Sequence, residues 1–296
     1  MNKQALLKVH TETCRQALAI MDVKNNDYSG GEHAHDALAN FKASESLGLH
    51  PITGLLLRMQ DKLQRLRSFA NDGKLAVPNE SAEDACLDLV NDLFGERPVV
   101  AVIYTHSHGD HFGGVLGVTS QAEVDAGKCQ VIAPVGFLHE VVGENVIAGP
   151  AMGRRALYQF GPLLPPGPQG HVDCGLGNAL PIGPNTLIAP NRDITFTGEE
   201  MLIDGVRVVY QLTPETEAPA EMNFFFPDFD ALCMAENCSH TMHNLIPIRG
   251  ALVRNSLRWS KYINEAIELF GAKTKVLFTS HNWPRWGQED AVEFLG

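Results

Sequence analysis

Basic residues are scarce in this chain. It has 23 lysines and arginines against 35 aspartates and glutamates, a net charge of −12 at pH 7. So acidic a chain lacks the phosphate-neutralising surface that nucleic-acid binding needs, and no nucleic-acid partner is expected. The deficit does not exclude an anionic small substrate, because local arginines and metal ions set the field inside a pocket. Long apolar runs are missing too. Nothing approaches the roughly 18 apolar residues of a membrane span. The opening Met1-Asn2-Lys3-Gln4 leads into no long apolar segment of the kind a secretory leader carries. Cysteines are few and scattered (Cys14, Cys86, Cys129, Cys174, Cys233, Cys238), with no CxxC pair. That pattern reads as reduced thiols in a cytoplasmic protein. No internal repeat is present. The apolar fraction of 44% and the length of 296 residues suit one large or two ordinary globular domains.

What is present is concentrated in Thr105-His106-Ser107-His108-Gly109-Asp110-His111. The cluster follows Pro98-Val99-Val100-Ala101-Val102-Ile103-Tyr104, a short β-branched run that reads as a buried strand. Three histidines and an aspartate therefore stand where a strand ends and a loop begins. In extended backbone His106 and His108 point to the same side. Asp110 and His111 come one turn later and can face a second ion. Imidazole and carboxylate donors suit Zn²⁺, and catalytic zinc keeps one position for water.

Residues 1–92 read as helical. Gln4 to Met21 carries apolar residues at helical spacing, and the polar turn from Lys24 to Gly31 breaks it. Pro51 opens a second helix, Ile52 to Ala70, which Asn71-Asp72-Gly73 ends. Asn79 or Ser81 caps a third, Ala82 to Phe94, with Glu83 and Asp84 near its positive end. From Gly95 onward strands and helices alternate. The expected order is a strand at 98–105, the ligand loop at 106–114, a helix near 115–126 and a strand at 130–134. A helical stretch from 135 to about 160 follows, then a Pro- and Gly-rich segment, Gly161 to Pro168, without regular structure. Strands at about 194–203 and 205–213 are joined by the hairpin signal Asp204-Gly205. A second hairpin spans Met222–Phe226 and Ala231–Ala235. A helix at 251–270 and a last strand, Lys275 to Thr279, complete the series.

Three later residues stand just past strands, as the histidine cluster does: Glu217, Glu236 and His281. Ligands at strand ends on one rim of a sheet sandwich can converge though far apart in sequence. His106-x-His108-x-Asp110-His111 resembles the metal signature of the metallo-β-lactamase superfamily. Within it, residues 82–296 resemble the alkyl sulfatases, which hydrolyse alkyl sulfate esters. The likeness is carried by Arg97 to His108, Thr216 to Met222, Ala231 to Asn237, His243-Asn244-Leu245, Arg249-Gly250-Ala251, Trp259 to Ala266, and Ser280 to Pro284.

The resemblance implies a zinc-dependent hydrolase of alkyl sulfate esters with an α/β (α+β) core, a partial αββα sandwich at 93–296. Two zinc ions are implied. His106, His108 and Glu217 would hold one, Asp110, His111 and His281 the other, and Glu236 would bridge them. Water between the ions, deprotonated near neutral pH, would be the nucleophile, so His106, His108, Asp110, His111 and Glu236 count as catalytic. Arg249 and Asn244 would grip the sulfate, with Arg254 and Asn185 as further candidates, because the planar arginine fork offers paired donors to an oxyanion. His243 and the metals are the candidates for protonating the leaving group.

The helical segment has a different likeness. Lys24 to Tyr28, Asn40-Phe41, Arg58 to Leu63, and Glu80 to Asp84 with Asp88-Leu89 resemble a phage-associated nucleotide-modification family related to all-α nucleotide pyrophosphatases. There, acids one helical turn apart hold Mg²⁺, which singles out Asp84 and Asp88. The chain thus reads as an all-α phage-type module fused to an alkyl sulfatase core that lacks its first strands and ends fifteen residues after His281. Such a core is expected to leave a sheet edge and apolar faces uncovered, to be less stable than the full-length family, and to self-associate as a homodimer. Three other readings stay open: hydrolysis of another ester, a nucleotide-processing module, and an inactive metal-binding fusion.

Overall fold

A computed structural model of the chain describes residues 97–296, except 166, 173, 175–184 and 242, together with Leu87, Val90 and Asn91. Those three early residues are helical, inside the helix expected at 82–94. The remaining helices read in residues 1–92, with Asp84 and Asp88, lie outside the described residues.

The described strands form two sheets. In the first, β1 (Ala101–Ile103), β2 (Gln130–Pro134) and β3 (Arg192–Ile194) run parallel in that order, with Val102 opposite Val131 and Ala133 opposite Asp193. The second follows chain order: β4 (Glu200–Ile203), β5 (Val206–Leu212), β6 (Met222–Phe226), β7 (Ala231–Cys233), β8 (Val276–Phe278) and β9 (Arg285–Trp286). Its pairings are antiparallel except β7 with β8. The helices are α1 (Gln121–Asp125), α2 (Phe137–Val141), α3 (Gly149–Phe160), α4 (Ser256–Ala266) and α5 (Gln288–Leu295).

The period-two alternation of side chains sorts these elements into layers. Ile132 and Ile194 from the first sheet meet Val208, Tyr210, Met222, Phe224 and Cys233 from the second in one buried cluster. The opposite face of β2, Val131 and Ala133, packs with Val124, Phe137 and Val141 of α1 and α2. The opposite face of the second sheet, Phe225, Leu232 and Leu277, packs with Ala266 of α4 and with Ala291 and Leu295 of α5. The result is the expected αββα layering. No helix among the described residues is long and apolar enough to cross a membrane.

Several expected boundaries shift, each for a local reason. The strand read at 194–203 is two strands in different sheets. Gly198, at φ 90°, turns the chain between them. The helix read from 115 begins only at Gln121, because Ser120 makes a capping box with Glu123. The helix read from 251 begins at Ser256, where Asn255 accepts from the Arg258 N–H. The Asp204-Gly205 hairpin is present, with both residues at positive φ (48° and 81°), as a two-residue primed turn requires.

Candidate metal centre

All seven residues read as metal ligands meet where strand ends gather. Past β1, Tyr104 anchors the chain: its N–H donates to the Ile132 carbonyl, and its buried ring stacks on Phe137 at 4.9 Å. His106 then pairs as a single β-bridge with Glu221, which ties the histidine run to the start of β6. Gly109–His111 forms one tight 3₁₀ turn that aims Asp110 and His111 at a second position. Asn185 lies against this loop. A Cβ on Gly113 would overlap its side-chain amide and stand 2.6 Å from the Gly109 carbonyl, so only glycine fits there. Glu217 sits on the loop between β5 and β6, Glu236 follows β7, and His281 follows β8. Ala235, at φ 49°, and His281, at φ 67°, are left-handed without being glycine, a local cost accepted where ligands are aimed.

The donor atoms form two adjoining groups. His106, His108, Glu217 and Glu236, all buried, make the first; Asp110, His111 and His281 make the second; each group offers ligand atoms within 4.8 Å of one another. Glu236 reaches both. Its Oε2 is 3.4 Å from His106 Nε2, 2.9 Å from His111 Nε2 and 3.4 Å from His281 Nε2. Within the first group His108 Nδ1 stands 2.8 Å from Glu217 Oε2, and His106 Nε2 is 3.5 Å from that same oxygen. Yet His106 Nε2 and Glu217 Oε2 are buried without a hydrogen-bond partner of acceptable geometry. In the second group His111 Nε2 faces His281 Nε2 at 3.1 Å. Buried polar atoms left unpaired cost free energy. Nitrogen and oxygen donors that crowd together with some left unpaired are the arrangement that divalent cations complete. The residues therefore fit the metals that the sequence implies.

Charges in the cluster are strongly perturbed. Burial and the neighbouring His111 push His106 down to about 4. Burial alone would lower His111 as well, but Asp110 and Glu236 prevail and hold it up at about 10. Burial opposes ionisation of Glu236, yet the four imidazoles facing it, His106, His111, His243 and His281, keep it well below the usual carboxylate range. Burial and the charge of Glu217 raise Glu221 instead. These shifts set a pH dependence for the cation-free protein. Both histidines titrate near 6.5 when unfolded. His111, raised on folding, adds stability that is fully present below about 6.5 and lost as pH rises towards about 10. His106, lowered on folding, adds stability present above about 6.5 and lost as pH falls towards about 4. The urea midpoint after chelation is therefore expected to peak between pH 6 and 7. A midpoint that climbs steadily from pH 5 to pH 9 would contradict this.

Around the ligands lies a ring of further polar groups. Arg249 places a guanidinium nitrogen 3.0 Å from His108 Nε2, and its backbone N–H donates to Gln159. Glu144, on the wide π-type turn at Val142–Ile147, is 3.8 Å from His108 Nε2 and 3.9 Å from Arg249. Arg254 is committed elsewhere. Its guanidinium bonds the Glu217 carboxylate and carbonyl, and its remaining donors go to the Asn244 carbonyl and side chain and to His243 Nδ1. His243 Nε2 lies 3.0 Å from Glu236 Oε1.

The family model described as the metallo-beta-lactamase superfamily matches residues 79–281. The chain belongs to that superfamily. Among curated proteins it is similar to an alkyl/aryl-sulfatase of Saccharomyces cerevisiae, 52% identical over 200 residues, which cover 68% of this chain and 31% of the relative. It is also similar to a linear primary-alkylsulfatase of Pseudomonas sp, 48% identical over 219 residues, 74% of this chain and 32% of the relative. Among solved structures, the stereoselective inverting sec-alkylsulfatase of Pseudomonas sp. matches with a TM-score of 0.69 at 45% identity, over 72% of this chain and 34% of that one. The chain thus spans about a third of the length of the curated relatives it matches. The resemblance to alkyl sulfatases read from the motifs is borne out.

Among the residues read as sulfate-binding, the structure separates Arg249, which lines the ligand cluster, from the others. Asn244 and Arg254 are bonded to each other, and Asn185 buttresses the Gly109–Gly113 turn. Glu144 and Glu221 had no sequence signal of their own. Glu221 lies inside a quoted motif, but nothing in the spacing Glu217-x-x-x-Glu221 tells which carboxylate is a ligand.

Proposed function

We propose that this chain carries the hydrolytic centre of an alkyl sulfate esterase, converting alkyl sulfate and water to alcohol and sulfate with two zinc ions. The observation that carries the reading is the arginine at the ligand cluster: the Arg249 guanidinium beside His108 puts an oxyanion fork on the wall of a two-cation site. The alkylsulfatase likeness gives the substrate class. His106, His108 and Glu217 would hold one zinc, Asp110, His111 and His281 the other, with Glu236 shared. Bound there, the ions would supply Lewis acidity and bring the pKa of water towards neutrality.

The chain's own groups do the rest. Arg249 binds and orients the sulfate. Arg254 holds Glu217 in place by pairing its outer oxygen, leaving Oε2 for the metal. Because Arg254 donates to His243 Nδ1, the His243 proton sits on Nε2, where Glu236 Oε1 accepts it. On this reading the His243 N–H would serve the leaving oxygen as a hydrogen-bond donor, and the proton that the alcohol gains would come from the water consumed. Elemental analysis of the full chain is expected to give two zincs, with sulfate released from dodecyl sulfate and release lost in His108→Ala. Two bound zincs without any sulfate release would overturn the substrate assignment, and no bound metal would overturn the centre.

A further inference from the structure

We propose that Glu221 is a positioning residue that clamps the two glutamate ligands, Glu217 and Glu236, in register with His106. The idea rests on the metal-centre reading above. Glu221 is 1% exposed and meets a backbone N–H at each of its two oxygens. The Ala218 N–H, directly after Glu217, donates to Oε2 at 2.8 Å, and the Glu236 N–H donates to Oε1 at 3.2 Å. The Thr216 hydroxyl, directly before Glu217, stands 3.0 Å from Oε2 and 2.6 Å from the Thr213 carbonyl. The residue also pairs by its backbone with His106, and its Oε1 lies 4.0 Å from His106 Nδ1. One buried residue therefore ties together three ligand-bearing segments from distant parts of the sequence: its side chain holds the β5–β6 loop and the end of β7, and its backbone the end of β1.

The arrangement needs two acceptor oxygens. A glutamine of the same size offers only one. Whichever way its amide is turned, the NH₂ faces a backbone N–H, that of Ala218 or that of Glu236. Glu221→Gln is thus expected to keep the packing but displace the Glu217 turn or the Glu236 backbone. Groups that orient metal ligands in this way typically account for about 10- to 100-fold in metal affinity.

The test is zinc affinity of the full chain, measured by competition with a chromophoric chelator, for the native protein and Glu221→Gln, alongside thermal melts after chelation. Glu221→Gln is expected to weaken zinc about 10- to 100-fold with the cation-free melt little changed. A lowered melt with zinc affinity intact would mean a role in stability alone and would overturn the proposal. Equal affinity and equal melts would overturn it too, as would a native chain that binds no zinc, which would also remove the metal-centre reading. Should the variant fail to fold, hydrogen exchange on the native cation-free chain decides: the Ala218 and Glu236 amides are expected to exchange as slowly as the β6 amides, and fast exchange at either overturns the clamp.

Discussion

Glu236→Ala is expected to reduce sulfate release by about a thousand-fold or more and to strip zinc from both halves of the centre together. Every other ligand serves one group of donors. The carboxylate of Glu236 lies within 3.4 Å of His106 in the first group and of both His111 and His281 in the second. It is also the anion that four imidazoles share, since His243 joins through Oε1. Its loss leaves Glu217 beside His106 and His243, and Asp110 beside His111 and His281, with no carboxylate joining the two groups. His281→Ala makes the informative comparison, because that ring belongs only to the second group and its side chain is 18% exposed. It is expected to lower zinc content towards one per chain. Elemental analysis of dialysed protein with parallel sulfate release checks both. Full zinc content in Glu236→Ala would refute the shared-ligand reading.

Arg254→Met is expected to destabilise the cation-free protein by about 3–5 kcal/mol, because it breaks a buried ion pair from one side. The side chains of Arg254 and Glu217 are 4% and 1% exposed. Methionine replaces the stem of the arginine and none of its donors. It leaves the Glu217 carboxylate buried beside Glu236 and Glu221 with imidazoles in place of the guanidinium beside it, and it unpairs the Glu217 and Asn244 carbonyls. Zinc bound at Glu217 would resupply the missing positive charge, so the deficit is expected to shrink when the metal is restored. Urea unfolding with and without zinc measures both quantities. A loss under about 1 kcal/mol in the cation-free state would mean that the pair is solvated and carries no structural role.

The local elements were legible where a single chemical signal decides them. The strand expected at 130–134 is β2 with those bounds, and the Asp204-Gly205 turn pins its hairpin because both residues accept positive φ. The split of 194–203 was not legible. Alternating side chains look the same whether the strand continues or crosses to another sheet, and only the pairing of β3 with β2 and of β4 with β5 separates the two. The two-residue β9 is held by pairing with β8, and so short a segment carries no period of its own.

The amino-acid sequence by itself determined the kind of chemistry available: imidazoles and carboxylates at the ends of β-branched runs, where side chains leave a sheet on one rim. Only the tertiary structure decided what the polar groups around them do. It set Arg249 beside His108, engaged Arg254 with Glu217, Asn244 and His243, and put Glu221 beneath the ligands instead of among them. The reason is directional. A residue type states which donors and acceptors exist, but which of them face a cation and which are already satisfied depends on backbone N–H and carbonyl groups that long-range sheet pairing brings into reach.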